Sequence, residues 1–540
     1  MSLRKETEKY QKKNFKKFGF NMNLTVSLVS AVIVLGFIFF TITQPSYSSK
    51  IFSSANLWIN TNFNWLYVLT INLSFIFLIY LAFSKFGKIR LGGFNSKPEF
   101  SNFAWYAMLF SAGIGIGIFF YGVAEPIKHL NIPEGLQSGS IYDNFKMMYL
   151  HWGIHAWSVY GLVAVGLGYF SYDKGLPFSL RSLFYPLIKD KIFTIWGDII
   201  DIIAVISVLF GLATSLGLGA SQINSGLHYV FNIPYNNGIQ VALIVLITLF
   251  ATMSVVSGIN KGIKYLSQLN TYISAILLFF ILILGPTAFI FSTYVSSFGL
   301  YLKDFIGIGT FISQNQAGID WQQNWTIFFW AWWISWTPFV GTFIAQISKG
   351  RTIKEIAIGT VVVPTIIITF VMTILGATGI YENTLFNGVI EQAIDANIAT
   401  SMFEMFKYLV SSKILINILS VIAIIAIVFF FITSSDSGSL VVDNLTSGGL
   451  KESPKVQRVF WAAMEGAIAL TVLILGGSNA LETLQSAVII TAFPFSILLI
   501  IVMISLIQEL RVRYKKYRFN SYLKLRQTLD NIPDDAKFKK

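Results

Sequence analysis

Residues 111–126 read "SAGIGIGIFFYGVAEP", with glycine at 113, 115 and 117 and proline at 126. The run is apolar enough for the middle of a membrane helix, yet each glycine costs a helix about 1 kcal/mol relative to alanine. Glycine also lets a ligand approach the backbone closely and frees N–H groups to meet an anion. In lipid, an opened backbone is tolerated only where protein surrounds it or where it lines a cavity. Close helix packing through small residues would use the same glycines, but it does not account for the "AEP" that stops the run. The stretch predicts a broken helix inside a membrane protein.

The whole chain supplies that setting. Its 540 residues are 54% hydrophobic and 12% charged, with mean hydropathy +0.65, whereas an average soluble domain carries about 25% charged residues. Apolar runs recur along the full length, each long enough to cross a hydrocarbon core of about 30 Å as a helix. Hydropathy places twelve spans at roughly 22–43, 62–84, 101–123, 144–170, 197–227, 238–257, 265–295, 323–347, 354–378, 408–435, 456–476 and 487–508. With the N-terminus in the cytoplasm, roughly 33 of the 39 Lys and Arg fall in the tails and cytoplasmic loops. The expectation is a multi-pass protein of the cell membrane with both termini cytoplasmic. The same sorting explains the net charge of +13 without a nucleic acid.

Basic tails at 1–21 and 509–540 flank a transmembrane domain at 22–508. Such tails suit anionic lipid, each Lys or Arg contributing around 1 kcal/mol near the surface. The N-terminal tail is too long and polar for a signal peptide, so the first span is expected to be retained. Cysteine is absent, which excludes disulfides, thiolate metal sites and cysteine nucleophiles. With no nucleophile elbow and no P-loop, the chain is not expected to be an enzyme or to hold a built-in ATPase.

A second irregular stretch, "WAWWISWTPFVG", lies at 330–341. Pro338 removes a backbone donor and crowds the preceding turn, which predicts a break in the eighth span. Interrupted spans in corresponding places point to a transporter site between inverted repeats, here at roughly 101–295 and 323–508. The two halves share no convincing residue identity, so the repeat is read from hydropathy and the paired breaks.

Three side-chain sets carry chemistry. Trp332 and Trp333 precede Trp336 by four and three residues, so one helix face can present all three. Indoles are the best partners for a cation over a ring, and quaternary ammonium groups are held in aromatic cages. An interfacial belt would put one or two tryptophans at the end of a span; these sit inside one. Trp330 lies outside the pattern. In "YLHWGIHAWSVYGL" (149–162), Trp152 and Tyr160 are eight apart and share a face. His151 and His155 have a metal-chelating spacing, but no HExxH pattern and no carboxylate lie near in sequence, so no metal is expected. In "FFFITSSDSGS" (429–439), Thr433 and Ser434 supply hydroxyls which, with freed carbonyls, suit sodium. Bonding back to a helix carbonyl is the ordinary alternative for such hydroxyls. Asp436, at the cytoplasmic end of that span, is read as structural.

Together "GIGIGIFFYGVAEP", "WAWWISWTPFVGTFIAQISKGRTIKE" and "FFITSSDSGS" resemble the betaine/choline/carnitine transporter family, in order and over nearly the whole chain. The resemblance implies an all-α membrane protein of twelve transmembrane helices. Its spans three to twelve would form a LeuT-like core of two inverted five-helix repeats with broken helices, often in a homotrimer. It implies a substrate cage of Trp152, Tyr160, Trp332, Trp333 and Trp336, with the N–H groups around Gly113, Ile114 and Gly115 facing a substrate carboxylate. It also implies a sodium site from the backbone of Ser111, Ile114 and Phe430 and the hydroxyls of Thr433 and Ser434, with Phe339 near the cation. Many members read G-M-G-I-G where this chain has Ile114; contacts there are main-chain, so the change does not decide the ligand. Some choline-taking members carry an acidic residue at the position of Gly117, and its absence tilts the reading toward a zwitterion.

The expected function is a sodium-coupled secondary transporter importing a quaternary-ammonium compatible solute, glycine betaine foremost, for osmoprotection. Sodium is the coupling ion and no other cofactor is implied. Choline uptake, a carnitine-type substrate/product antiporter, and a channel or transport-derived sensor are the alternatives. The basic C-terminal tail resembles tails linked to osmotic activation in the family.

Overall fold

Nearly every apolar run closes its backbone hydrogen bonds within a helix, the only way a lone segment can do so in lipid. The computed structural model describes residues 3–113, 115–132, 136, 140–257, 262–450, 454–476 and 480–530. Among the described residues there is no strand, only isolated bridges between Phe15 and Met22 and between Arg90 and Thr352.

The chain opens with α1 (Leu3–Lys12), α2 (Leu24–Thr43) and α3 (Pro45–Phe83). Two broken pairs follow: α4 (Asn102–Gly113) with α5 (Gly117–Lys128), and α6 (Tyr142–Trp152) with α7 (Ile154–Lys174). Then come α8 (Tyr185–Ile188), α9 (Ile195–Phe231), α10 (Asn237–Ser257), α11 (Gly262–Leu284) and α12 (Thr287–Gly309). Next are α13 (Gln316–Gln322), α14 (Phe328–Ile347), α15 (Ile353–Leu385), α16 (Val389–Ala396) and α17 (Ser401–Leu409). The last three helices are α18 (Lys413–Thr446), α19 (Lys455–Gly476) and α20 (Ala480–Asp530).

Among the described residues, 11 helices are long and apolar enough to cross a membrane. The segment expected at 101–123 is missing from that set because it comes in two pieces, α4 and α5, as its glycines predict. The fourth expected span also kinks, at Gly153 between α6 and α7. A Cβ on Gly153 would stand 2.5 Å from the Tyr149 carbonyl oxygen, so the bend needs glycine. The seventh ends at Leu284, and α12 is a separate helix that packs on α6.

Pro338 corrects an expectation. It does not break the eighth span: α14 runs from Phe328 to Ile347 with Pro338 inside it. The irregularity lies earlier, in a wide π-type turn at 323–327 that joins α13 to α14. Proline forfeits one helical hydrogen bond, but in a buried helix neighbouring helices and hydroxyls compensate. Around Pro338 every residue of α14 from Phe328 to Thr342 is buried, and Thr337 Oγ1 donates to the Trp333 carbonyl at 2.8 Å.

Burial sorts the helices into layers. In the most apolar 18-residue stretch of α6–α7 and of α13–α14, 94% of the residues are buried, against 28% in α10 and 22% in α11, which present apolar side chains outward. At the centre α14 packs on α7 and α9, α5 on α15, and α9 on α18 and α20. Further out, α11 packs on α18 and α10 on α19. Near the N-terminus, Arg181 is fully buried, with Nε 2.6 Å from Asp201 Oδ2 and a terminal nitrogen 2.8 Å from Asp198 Oδ1. Its guanidinium lies 4.8 Å from the ring centroid of Tyr10 in α1. Removing one partner of a buried ion pair costs about 3–5 kcal/mol, while exposed pairs contribute about 0–1. Arg181→Leu should therefore lower the unfolding midpoint in detergent markedly, whereas Lys349→Ala, which breaks the open pair with Glu99, should barely move it.

Candidate functional site

The tryptophans of α14 and α6 meet at the middle of the bundle. Trp332 and Trp333 lie nearly parallel, interplanar angle 9° and centroids 5.1 Å apart. Trp336 stands at 83° to Trp332, with centroids 6.4 Å apart. From α6, Trp152 stands at 77° to Trp332 and 68° to Trp333, at 6.4 and 5.0 Å. Trp152 and Trp336 thus stand steeply against the near-parallel Trp332 and Trp333, an arrangement able to surround a methylated cation with π faces.

Each indole N–H is tethered, which fixes the walls. Trp332 and Trp336 Nε1 both donate to the Gly211 carbonyl of α9, at 3.3 and 3.1 Å. Trp333 Nε1 donates to the His151 carbonyl at 2.7 Å, and Trp152 Nε1 to Glu125 Oε2 at 2.7 Å. Gly211 reaches this position because it lacks a Cβ, which would lie 2.9 Å from Ser335 and 3.0 Å from Trp336.

The broken helix runs along the ring tips. A Cβ on Gly115 would be 3.0 Å from Cη2 of Trp336 and 3.8 Å from Ser434 Oγ. On Gly117 it would be 2.7 Å from Cη2 of Trp152 and 2.9 Å from Cη2 of Trp332. The glycine backbone therefore lies against three walls of the box. Gly113 ends α4 and Ser111 sits in its last turn; Ile114 lies outside the described residues.

Tyr160 is buried, packs edge-on against Trp157 at 5.6 Å, and its hydroxyl has no hydrogen-bond partner among the described residues. Phe339 packs against Trp336 at 5.7 Å. On α18, Ser434 faces Gly115, while Thr433 Oγ1 donates to the Phe429 carbonyl at 2.8 Å, the back-bond that such hydroxyls ordinarily make. Thr433 and Phe430 also line a cavity of about 240 Å³ with Asn270 and Ser274 of α11. Asp436 accepts a hydrogen bond from Ser254 Oγ at 2.6 Å, which ties α18 to α10. Trp330 lies 5.7 Å from the ring of His155 and 6.0 Å from that of His151.

A larger cavity of about 720 Å³ approaches the box. Lys128 and Asp395 pair at its wall, and Tyr121 and Trp325 close its floor. Tyr121 in turn packs 6.2 Å from Trp332 and 6.4 Å from Trp152. One aromatic layer separates the cavity from the indoles.

A family model described as the betaine/carnitine/choline family transporter matches residues 25–515. The chain belongs to this family. The betaine/carnitine/choline transporters are membrane transporters, and this member is accordingly a multi-pass membrane transporter, not an enzyme. It is 40% identical over 508 residues to glycine betaine transporter 1 of Vibrio parahaemolyticus, covering 92% of this chain and 95% of that one. It is 38% identical to a probable glycine betaine transporter of Desulfitobacterium hafniense, covering 90% and 97%. A glycine betaine/proline/choline transporter of Vibrio parahaemolyticus is 37% identical, with 91% of each chain covered.

One part of the site was invisible in the sequence. His151 does have a carboxylate neighbour, Glu125, whose Oε1 lies 2.6 Å from its Nδ1. The two are 26 residues apart on different helices, and neither the histidine spacing nor the "AEP" motif links them. His155, the other half of the i, i+4 pair, stacks on Phe305 at 4.5 Å.

Proposed function

We infer that this family member imports glycine betaine in symport with sodium. The observation that carries this reading is the right-angled set of Trp152, Trp332 and Trp336 closing on the backbone of Gly115 and Gly117. The indoles take the trimethylammonium head group through cation–π contacts, and the N–H groups at the α4–α5 break take the carboxylate. The absence of any side chain at 117 favours a zwitterion over a bare cation. Relatives named for glycine betaine support the choice, and the one also named for choline makes choline the competing reading.

For coupling, Ser434 beside the broken helix supports a sodium site that joins α18 to the α4–α5 break, with Thr433 and the Phe430 backbone completing it. An ion that bridges these two elements would stabilise the arrangement that presents the glycine backbone to substrate. The packing supports two inverted five-helix repeats. Contact of α14 with α7 is matched by α5 with α15, α9 with α20 by α18 with α11, and α9 with α19 by α18 with α10. These are the pairs exchanged when the third to seventh spans swap with the eighth to twelfth. Rocking of one set against the other would open the site to each side in turn.

The test is uptake of labelled glycine betaine in proteoliposomes, with choline and carnitine as competitors, in sodium or in potassium. Betaine should compete best and uptake should vanish in potassium. Unchanged uptake in potassium at zero proton gradient would exclude sodium symport, and a requirement for counter-substrate inside would favour an antiporter. Replacing both Thr433 and Ser434 by alanine should raise the sodium concentration for half-maximal uptake by roughly tenfold or more, since it removes two oxygen ligands from a hard cation.

A further inference from the structure

Behind the Trp152 wall lies a cluster that tethers two of the indoles, but whose titratable groups have no part in the substrate reading above. Glu125, His129 and His151 are all fully buried, and one nitrogen or oxygen of each lies within 4.8 Å of the others. Glu125 receives His151 Nδ1 at 2.6 Å on one oxygen and the Trp152 indole N–H at 2.7 Å on the other. His151 Nε2 meets Thr326 Oγ1 at 3.0 Å. His129 Nδ1 lies 3.3 Å from the Asn144 carbonyl. Its Nε2 has no hydrogen-bond partner among the described residues and sits 3.9 Å from Glu125 Oε1.

These contacts locate the protons. A carbonyl only accepts, so His129 carries its hydrogen on Nδ1 and, when neutral, turns a lone pair on Nε2 toward the carboxylate. When Glu125 is ionised, neutral His151 donates to it from Nδ1, and the Thr326 hydroxyl then donates to Nε2. With Glu125 ionised, the cluster then holds one negative charge and one buried lone pair without a donor, and both are costly away from water. One proton added to His129 Nε2 converts that ring to an imidazolium facing the carboxylate. The net charge becomes zero and the orphaned nitrogen becomes a donor.

We propose that Glu125, His129 and His151 form a binding site for one exchangeable proton, and that this proton opposes a cationic head group held against Trp152. The second half rests on the cage reading above; the first half does not. The link is the Trp152 N–H bond to Glu125. An ionised carboxylate at the indole nitrogen enriches the ring face and adds its own field, both of which attract a cation in a dry site. Protonation of the cluster cancels that charge. Coupling of this kind is reciprocal, so substrate binding expels the proton by the same factor.

The surroundings suit the role. The titratable or charged side chains on the elements packed around the cluster include Tyr121 and Lys128 on α5, the second paired with Asp395, Asp143 and Lys146 on α6, His155 on α7 and Asp320 on α13, with Tyr301 and Asp304 on α12 and Glu382 on α15. Lys146 pairs with both Asp143 and Asp304, and Asp320 accepts from Gln316; Tyr121 and His155 interact with the cluster electrostatically. Trp325, which lines the larger cavity, covers His129 at 4.9 Å, so a proton has one ring to pass.

The experiment uses the purified full chain in liposomes at saturating sodium, with a metal chelator throughout. Glycine betaine Kd is measured from pH 5.5 to 8, together with proton release on binding, read by a dye in weak buffer. Wild type should bind roughly tenfold more weakly at the acid end and release a fraction of a proton. His129→Gln, whose amide can face Glu125 but cannot take up a proton, should give a flat profile, and Glu125→Gln a flat profile at weak affinity. Infrared difference spectra of the substrate-free protein between the same pH limits should show linked imidazolium and carboxylate bands that vanish in both variants. Bands present but no betaine binding at any pH would sink the cage reading and leave the proton site standing. Absent bands in wild type, a wild-type slope in His129→Gln, or a pH dependence abolished by the chelator would each overturn the proposal, the last in favour of a bound metal.

Discussion

Gly117→Val should abolish betaine binding while leaving the protein folded in the membrane. The position has no room: an added Cβ alone would stand 2.7 Å from Trp152 and 2.9 Å from Trp332. Neither ring yields easily. Trp152 is tied to Glu125 and Trp332 to the Gly211 carbonyl, and both indoles are buried among further rings. Overpacking of this kind costs about 1–3 kcal/mol of stability, which a bundle of this size can absorb. The site cannot absorb it, because the displaced walls are the ones proposed above to hold the head group. We expect the Kd of the valine variant to rise at least roughly a hundredfold, with alanine intermediate. Gly36→Ala serves as the control, since nothing lies within 4 Å of an added Cβ there and alanine favours the helix. Wild-type Kd in correctly inserted Gly117→Val would refute the geometry. Gly117→Asp meets the same two indoles, so an acidic residue there could serve choline only if the rings move apart.

Trp336→Leu should weaken binding without that crowding. The substitution removes the wall that stands at 83° to Trp332 and takes away one of the two indole donors to the Gly211 carbonyl. A desolvated cation–π contact is worth about 2 kcal/mol, which corresponds to a Kd roughly thirtyfold higher. Trp336→Phe keeps a smaller ring and should fall between. The contrast is Trp330→Phe, which alters packing around His155 and should lower thermal stability while sparing affinity. Isothermal titration on protein that elutes as a single species distinguishes the cases. Equal affinity in Trp336→Leu and wild type would mean that the box does not hold the substrate.

Local features were legible before any fold was known. The α4–α5 break follows from three glycines in one short run, because the helical penalty of glycine acts on its own residue. The shared face of Trp332, Trp333 and Trp336 follows from helical spacing, and the membrane class from apolar runs too long to be anything else. Pro338 shows the limit of such reasoning. Its local penalty is real, but α14 is buried from Phe328 to Thr342, and that burial keeps the helix continuous through the proline. The irregularity lies instead at 323–327, where no residue type announces it.

What Trp152 does could not be read from its neighbours at all. Its place among the indoles depends on the kink at Gly153 and on a bond to Glu125, which reaches it from another helix. The same holds for the Gly211 carbonyl that anchors two indoles, and for His129 facing Glu125. Backbone propensity and periodicity act over one or two helical turns, so they write themselves into contiguous sequence. Contacts between helices depend on how faces dock in three dimensions, and in this transporter those contacts hold the walls of the box and place a carboxylate behind it.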